Sequence, residues 1–266
     1  MPESPIRKLV PYSEYAKQKG INVLHLNIGQ PDILPPNNVI KKINNFQIEK
    51  IEYSHSAGIE EYRRKIAKYY NDINNEISYK DILVTTGGSE ALSTVLNCIC
   101  DPKDEIIIPD PYYANYNGFS NAGNITIKAV KCTINEGFQL PKISDFEKKI
   151  NKKTRAILIC NPGNPTGALY TLSEIKELAK LIKKHNIFLI ADEVYREFIY
   201  DQLTHHSILT FQNIQQNTIV IDSISKRYSM CGARIGCIVS KNKEVINTAL
   251  KFSQARLSPP IFGQLA

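Results

Sequence analysis

The chain has 266 residues, of which 42% are hydrophobic and 22% are charged, and its formal net charge is +7. This length suffices for one large globular domain, or for one domain and part of another, and the composition is ordinary for a soluble globular protein. The lysines and arginines are scattered and stand mostly beside acidic residues, which indicates a solvated surface rather than a nucleic-acid patch, although the charge is compatible with anionic small ligands.

The first stretch of the chain, to about residue 45, contains several prolines and no regular alternation of elements. We interpret it as an arm or as part of another subdomain. Further along, short apolar runs predict seven strands: Asp81–Thr86, Glu105–Pro109, Asn124–Val130, Arg155–Cys160, Ile187–Asp192, Thr218–Ser223 and Arg234–Ser240. Nearly continuous Ile, Leu and Val runs are typical of strands buried on both faces, as in a parallel sheet.

Helical patterns separate these strands. Two apolar stripes have the helical spacing i, i+3, i+4, i+7: Leu92, Val95, Leu96 and Ile99, and then Ile175, Leu178, Ala179 and Ile182. A capping box from Thr171 to Glu174 precedes the second stripe. The alternation predicts an α/β fold with a mostly parallel central sheet and helices on both faces.

The cysteines, the histidines and the N-terminus bear on the class of protein. The six cysteines form no CxxC pair and the five histidines have no metal-ligand spacing, so we expect buried free thiols and no metal site. The opening "MPESPIRKLVPY" lacks the apolar region of a signal peptide, and no apolar run approaches membrane-spanning length. We therefore expect a cytoplasmic protein without a membrane or nucleic-acid partner.

The carboxyl ends of the strands are where open parallel sheets bind ligands. In "VTTGGSEAL", paired glycines allow a tight turn, and the amides of Gly88 and Ser89 begin a helix whose N-terminus suits a phosphate. The alternative is an ordinary turn, since the spacing matches no common nucleotide-binding motif. In "PDPYYANY", Tyr113 is placed either to lie flat over an aromatic ligand or to pack in the core or rim.

Two further strand ends carry polar side chains. The rigid loop "CNPGNPTG" presents Asn164, whose amide suits a carboxylate or a phenolic oxygen, although turn formation alone explains much of this composition. In "LIADEVY", Asp192 ends an apolar strand and Tyr195 follows three residues later. A carboxylate at that position costs desolvation unless it meets a cation; the alternative is a helix N-cap.

The segment "SISKRYSMCGARIG" follows the strand Thr218–Ser223 and contains Lys226 between the hydroxyls of Ser223 and Ser225 and a second cation, Arg234. By itself Lys226 is most simply a surface lysine at a strand end. An amine that is partly desolvated beside other cations has a lowered pKa, however, and becomes a nucleophile toward an aldehyde. Together the strand ends describe sites for a phosphate, a ring, a protonated ring nitrogen, a phenolic oxygen and an aldehyde, which are the parts of pyridoxal phosphate.

With these motifs, the chain resembles the class I aminotransferases, the aspartate aminotransferase family of fold type I pyridoxal-phosphate enzymes. The motifs that carry the resemblance occur in order: "HLNIGQPDI", "YSHSAGIEEYRRKIA", "VTTGGSEAL", "PDPYYANY", "NPGNPTG", "ADEVY" and "SISKRYSMCGARIG". The resemblance implies residues 1–45 as an arm and part of a small domain, and residues 46–266 as the large cofactor-binding domain.

The resemblance also implies roles for individual residues. Lys226 would bond to the cofactor aldehyde as a Schiff base and then shuttle the proton of the substrate α-carbon. Asp192 would keep the ring nitrogen protonated, while Asn164 and Tyr195 would bind the phenolic oxygen. The remaining binding residues are Gly88, Ser89, Ser223, Ser225 and Arg234 around the phosphate, Tyr113 on the ring, Gly29 beside the substrate carboxylate, and Tyr53 reaching the phosphate of a second subunit in a homodimer.

The family completes its small domain with a C-terminal segment that carries the arginine for the substrate α-carboxylate, whereas this sequence stops at "SPPIFGQLA". We therefore expect an incomplete small domain and a nearly complete cofactor site. The predicted activity is transfer of an amino group between an L-amino acid, aspartate or a similar one, and a 2-oxo acid. The alternatives are another enzyme of this fold type, such as a β-C–S lyase, or a non-catalytic regulator that binds pyridoxal phosphate.

Overall fold

The computed structural model describes residues 4, 6–27, 29–47, 49–73 and 76–266; parts of the predicted arm, residues 1–3, 5 and 28, lie outside these ranges. The strands are β1 Ile82–Thr85, β2 Glu105–Asp110, β3 Thr126–Lys131, β4 Thr154–Cys160, β5 Phe188–Asp192, β6 Thr218–Ser223 and β7 Gly236–Val239. The helices are α1 Val10–Gln18, α2 Asn37–Asn44, α3 Glu60–Asn71, α4 Gly87–Ile99, α5 Asn115–Ala122, α6 Ile143–Glu147, α7 Leu172–His185, α8 Ile224–Arg227, α9 Lys243–Arg256 and α10 Ile261–Leu265.

The seven strands form one sheet in the order β1-β7-β6-β5-β4-β2-β3. The pairs β2/β3, β2/β4, β4/β5 and β5/β6 are parallel, whereas β7 runs antiparallel to both of its neighbours, β1 and β6. The prediction of a mostly parallel sheet is therefore confirmed. Which strand is reversed was not predictable, because β7 is as apolar and as buried as the parallel strands.

Both faces of the sheet are buried except at the edge strand β3, which explains the continuous apolar runs of the other strands. Successive residues of β4 point to opposite faces: Ile157 and Ile159 join one hydrophobic cluster, and Leu158 joins the other. The first cluster includes residues of α3 and α7, and the second includes residues of α4 and α9. Helices thus cover the two faces, as the sequence predicts.

The predicted helical stripes form α4 and α7. Ile175 and Leu178 of α7 are fully buried, and the capping box is present, with the Thr171 hydroxyl accepting a hydrogen bond from the Glu174 amide. All six cysteines are free thiols, three of them buried, while the cytoplasmic location stays a prediction. None of the described helices combines the length and apolar character that a membrane crossing requires.

The strand register brings three carboxyl ends together. Cys160 at the end of β4 pairs with Asp192 at the end of β5, and Asp192 pairs with Ile221 of β6. At the end of β1, Thr85 pairs with Gly236 of β7, so the start of α4 lies beside β7. The segments that contain the predicted site residues therefore leave the sheet at the same edge.

Candidate active site

A cavity of about 420 Å³ opens at this carboxyl edge. Its volume is within the range of about 300–1,000 Å³ that is typical of small-molecule sites. Every predicted site residue except Tyr53 lines it: Gly29, Gly88, Ser89, Tyr113, Asn164, Asp192, Tyr195, Ser223, Ser225, Lys226 and Arg234. Residues that are up to about two hundred positions apart in the sequence thus share one cavity.

Asp192 supplies a half-buried carboxylate to the cavity. The Tyr116 hydroxyl donates to its Oδ2 at 2.8 Å and the Val194 amide donates to its Oδ1 at 3.3 Å, and among the described residues no cation forms an ion pair with it. Burial raises the pKa of Asp192 to about 6, against these two hydrogen bonds, which lower it. The alternative role of helix N-cap does not apply, because the bond to Val194 lies in a turn and not at the start of a helix.

Lys226 lies in α8, shortly after β6 ends, and its ammonium group donates a hydrogen bond to the carbonyl oxygen of Gly29. A Cβ at Gly29 would lie 3.8 Å from the Tyr195 hydroxyl and 4.0 Å from Lys226 Nζ. The lysine, the tyrosine and the backbone of residue 29 therefore converge. The N-terminal stretch contributes to the same cavity as the sheet.

The start of α4 and Arg234 form a site for an anion. Gly87 has a φ of +77°, and a Cβ there would lie 2.4 Å from Arg234 Nη2. A Cβ at Gly236 would lie 2.6 Å from the amide nitrogen of Gly88. Glycines at both positions let the guanidinium and β7 approach the first turn of α4, where free N–H groups and the helix dipole favour negative charge.

The two serines of the cavity have different hydrogen bonds. Ser223 Oγ lies 2.7 Å from the carbonyl oxygen of Ile235 and accepts a bond from the Ser225 amide at 3.1 Å. Because a hydroxyl has a single proton, donation to Ile235 leaves Ser223 only its lone pairs for a ligand. Ser225 Oγ, 2.9 Å from Ser223 Oγ, can donate to an anion without losing a backbone bond.

Three other side chains are placed to surround a ring. Tyr113 packs edge-on against Tyr116 with ring centroids 5.5 Å apart. The Tyr113 hydroxyl accepts a hydrogen bond from the side-chain amide Nδ2 of Asn115 at 2.7 Å. Burial raises the pKa of Tyr195 to about 12, so its hydroxyl stays protonated and can donate. Asn164 lines the cavity from the loop after β4.

A family model described as aminotransferase class I and II matches residues 21–266. The chain belongs to this aminotransferase family. Membership confirms the resemblance that the sequence motifs indicate, and it implies pyridoxal phosphate as the cofactor.

Known aminotransferases resemble this chain in sequence and in fold. The putative aminotransferase YugH of Bacillus subtilis is 34% identical over 251 residues, which are 92% of this chain and 64% of that protein. The aspartate aminotransferase of Thermotoga maritima is 33% identical over 247 residues, 91% of this chain and 65% of that protein. A solved structure of a Thermus thermophilus aspartate aminotransferase double mutant superposes with a TM-score of 0.93 at 28% identity, over 100% of this chain and 69% of that one.

The chain therefore spans 64% and 62% of the length of the first two curated aminotransferases that it matches. In this aminotransferase chain, Tyr53 is 78% exposed and does not line the cavity, so the structure does not bring it together with the other predicted residues. Its predicted contact with a second subunit stays a prediction.

Sequence reasoning missed Tyr116, the hydrogen-bond donor to Asp192. "PDPYYANY" contains three tyrosines, and no spacing rule tells which of them faces a carboxylate on another strand. The helix α5 begins at Asn115 and turns the Tyr116 ring into the core, where its hydroxyl needs a partner. The pair is identified by the structure, in which the buried Tyr116 lies beside the aspartate that ends β5.

The residues of the cavity fit pyridoxal phosphate. Asp192 is a half-buried carboxylate that lacks a cation among the described residues, which suits a protonated ring nitrogen. The glycine-lined approach of Arg234 to α4 suits the phosphate, and Lys226 supplies an amine for the aldehyde. The donors and acceptors of the cavity thus match the cofactor that the family implies.

Proposed function

We propose that the chain is the cofactor-binding part of an enzyme that transfers an amino group between an L-amino acid and a 2-oxo acid with pyridoxal phosphate. The observation that carries the proposal is a half-buried carboxylate, Asp192, in one cavity with the amine of Lys226 and the anion site at Gly88 and Arg234. In this proposal, residues 46–266 form the cofactor-binding domain, and residues 1–45 form an arm and part of a small domain.

When bound, pyridoxal phosphate supplies an aldehyde that reacts with amines and a ring that withdraws electrons from the substrate α-carbon. Asp192 would hold the proton on the ring nitrogen, since a buried carboxylate is stabilised by an adjacent cation. Lys226 would take the proton from the α-carbon of the substrate and return it to the aldehyde carbon of the cofactor. Tyr195 and Asn164 would donate hydrogen bonds to the phenolic oxygen.

The remaining residues would bind and orient the cofactor. The amides of Gly88 and Ser89, the hydroxyl of Ser225 and the guanidinium of Arg234 would hold the phosphate. Tyr113 would lie against the ring. Ser223 would join the phosphate site only if its proton leaves the Ile235 carbonyl.

We propose aspartate or a similar amino acid as the amino donor, because relatives such as the Thermotoga maritima protein are named aspartate aminotransferases. The backbone of Gly29 and the amide of Asn164 would lie beside the substrate carboxylate. The test is an assay of the intact protein with aspartate, aromatic, branched-chain and diaminopimelate donors and a 2-oxo acid acceptor. We expect transfer with aspartate as the best donor.

Two results of this assay would contradict the proposal. Absence of transfer from every donor would exclude a transaminase. Release of pyruvate and ammonia from cystathionine without a 2-oxo acid would instead indicate a β-C–S lyase.

The proposed enzyme is a homodimer in which Tyr53 of each subunit reaches the phosphate bound by the other. The exposed position of Tyr53 outside its own cavity supports this arrangement. Mixing Tyr53→Phe subunits with Lys226→Ala subunits tests it. In a mixed dimer one site keeps both native residues and stays active, whereas inactivity of the mixture equal to that of the two parents would contradict the shared site.

A further inference from the structure

Behind the cofactor cavity lies a buried ionic cluster, defined here as Glu193, Arg196, Asp222 and Arg227. Asp222 and Arg227 have side chains that are 4% and 10% exposed, and those of Glu193 and Arg196 are 1% and 4% exposed. The members are sequence neighbours of site residues: Glu193 follows Asp192, and Arg227 follows Lys226. None of the four is among the residues that line the described cavity.

The first ion pair of the cluster encloses the lysine segment. Arg227 Nη2 donates to both carboxylate oxygens of Asp222, at 2.8 and 3.0 Å. The same carboxylate accepts a bond from the Ser223 amide at 2.7 Å and from the Tyr70 hydroxyl at 2.8 Å. The pair therefore joins the two ends of the stretch 222–227, which contains both serines and Lys226.

The second ion pair lies directly after Asp192 in the chain and encloses Tyr195. Arg196 Nη1 and Glu193 Oε2 lie 3.5 Å apart, and only two residues separate Glu193 from Arg196 in the chain. Glu193 also accepts bonds from the Ser207 hydroxyl at 2.9 Å and from the Ile208 amide at 3.2 Å. The end of β5 is thereby attached to the segment around Ser207.

Two tyrosines of α3 connect the two pairs. The guanidinium of Arg227 lies 4.4 Å from the ring centroid of Tyr69, and that of Arg196 lies 4.8 Å from the centroid of Tyr70. Such cation–π contacts add to the stability of desolvated guanidinium groups. The cluster thus spans the end of β5, which carries Asp192, and the end of β6, which leads into α8 with Lys226.

We propose that Asp222 and Arg227 are positioning residues, which fix the conformation of the stretch 222–227 and so place Lys226 and Ser225 toward the cofactor. This inference rests on the proposed function. Replacing a buried ion pair with apolar groups is often neutral for stability, so stability alone does not explain the pair. A defined backbone conformation for the segment that carries a nucleophile does.

The test compares four variants of the intact protein, Arg227→Met, Asp222→Asn, the double variant of both and Arg227→Lys, with Arg155→Met as a control. Arg155 binds Asp104 at 2.7 Å, far from the cavity, at the start of β4. The readouts are the rate at which cofactor-free protein captures pyridoxal phosphate, the Tm, and hydrogen exchange of the amides in the stretch 222–227.

In Arg227→Met we expect both capture and Tm to fall, with capture at least about 10-fold slower, because a displaced reactive group loses that much or more. The double variant removes both buried charges and should recover most of the Tm but not the capture rate. Arg227→Lys should be intermediate. Arg155→Met should lower the Tm without changing capture.

If the double variant recovers the capture rate as well as the Tm, the inference is overturned. The same holds if the capture rate of Arg227→Met falls no further than that of Arg155→Met. If the wild-type protein itself fails to capture pyridoxal phosphate, the proposed function fails instead. Hydrogen exchange then still decides the positioning role: faster exchange in the stretch 222–227 of the double variant supports it, and unchanged exchange overturns it.

Discussion

In the central strands of the sheet, Ile, Leu and Val side chains are buried on both faces, whereas none of the described residues before Ala57 is buried. The two regions meet at the cavity, where Gly29 from the exposed stretch accepts a bond from Lys226. The buried strands therefore hold the side chains that line the cavity at the carboxyl edge of the sheet. The N-terminal stretch exposes apolar side chains, such as Leu26, which is 94% exposed.

The largest loss of activity should follow a change at Asp192, which lies at the end of the buried strand β5. We expect Asp192→Asn to slow transamination by about 10²–10³-fold, because the amide cannot stabilise a protonated ring nitrogen by charge. The Tm should not fall, since the variant removes a half-buried negative charge that has no ion-pair partner among the described residues, and the amide oxygen can still accept a hydrogen bond. Steady-state kinetics and thermal unfolding measure both, with Asp201→Asn, on an exposed loop, as the control. Nearly native turnover in Asp192→Asn would contradict the proposed role of the Asp192 carboxylate.

Two leucines test the difference in packing directly. Leu158→Ala, in the buried centre of β4, should lower the free energy of unfolding by about 2–5 kcal/mol. Leu26→Ala should change it by less than about 0.5 kcal/mol in dilute protein. Denaturant unfolding at several protein concentrations measures both. A large loss of unfolding free energy in Leu26→Ala at every protein concentration would show instead that this stretch is packed within its own chain.

A pair of glycines separates backbone strain from the anion site. Gly87 and Gly137 both have positive φ, at +77° and +62°, so alanine should cost about 1 kcal/mol of stability at either position. Only at Gly87 does the added Cβ meet Arg234, whereas nothing lies within 4 Å at Gly137. We expect a loss of cofactor affinity of about 10-fold in Gly87→Ala alone, measured by titration with pyridoxal phosphate. Equal affinities of the two variants would exclude the anion site.

A smaller effect should appear as a pH dependence of cofactor binding. The pKa of Asp192 is raised to about 6 by burial, and a bound ring cation would lower it. Binding therefore favours the carboxylate, and the affinity should be full above about pH 6 and fall as the pH drops below that value. The phosphate group titrates near the same pH, with a pKa of about 6, so Asp192→Asn is the control. A pH profile that is identical in the variant would contradict the role of Asp192.

The fold was largely predictable from the sequence, because strands buried on both faces read as continuous apolar runs. All seven predicted runs contain strands, with ends that differ by at most two residues. The reversal of β7 was not predictable, since strand direction leaves no mark on a buried apolar run. The N-terminal stretch gave no strand pattern, and the structure has the helices α1 and α2 there.

The site residues were predicted from the motifs taken together, because each motif alone, such as a lysine after a buried strand or two glycines before a helix, has an ordinary structural alternative. Tyr116 was not found, because its partner Asp192 is 76 positions away in the sequence. The ion pairs of the cluster are close in sequence, but their burial depends on contacts with α3, such as that between Tyr70 and Asp222, which are 152 positions apart. Asp222, a charge within the apolar run "TIVIDS", was the one visible sign of the cluster.

The central claim is that Lys226 and Asp192 face one bound pyridoxal phosphate. The most direct measurement is the absorbance spectrum of the intact protein with added pyridoxal phosphate, recorded over a range of pH, beside that of Lys226→Ala. We expect a yellow band that changes with pH in the wild-type protein and is absent from Lys226→Ala. A colourless wild-type protein, or the same band in Lys226→Ala, would contradict it.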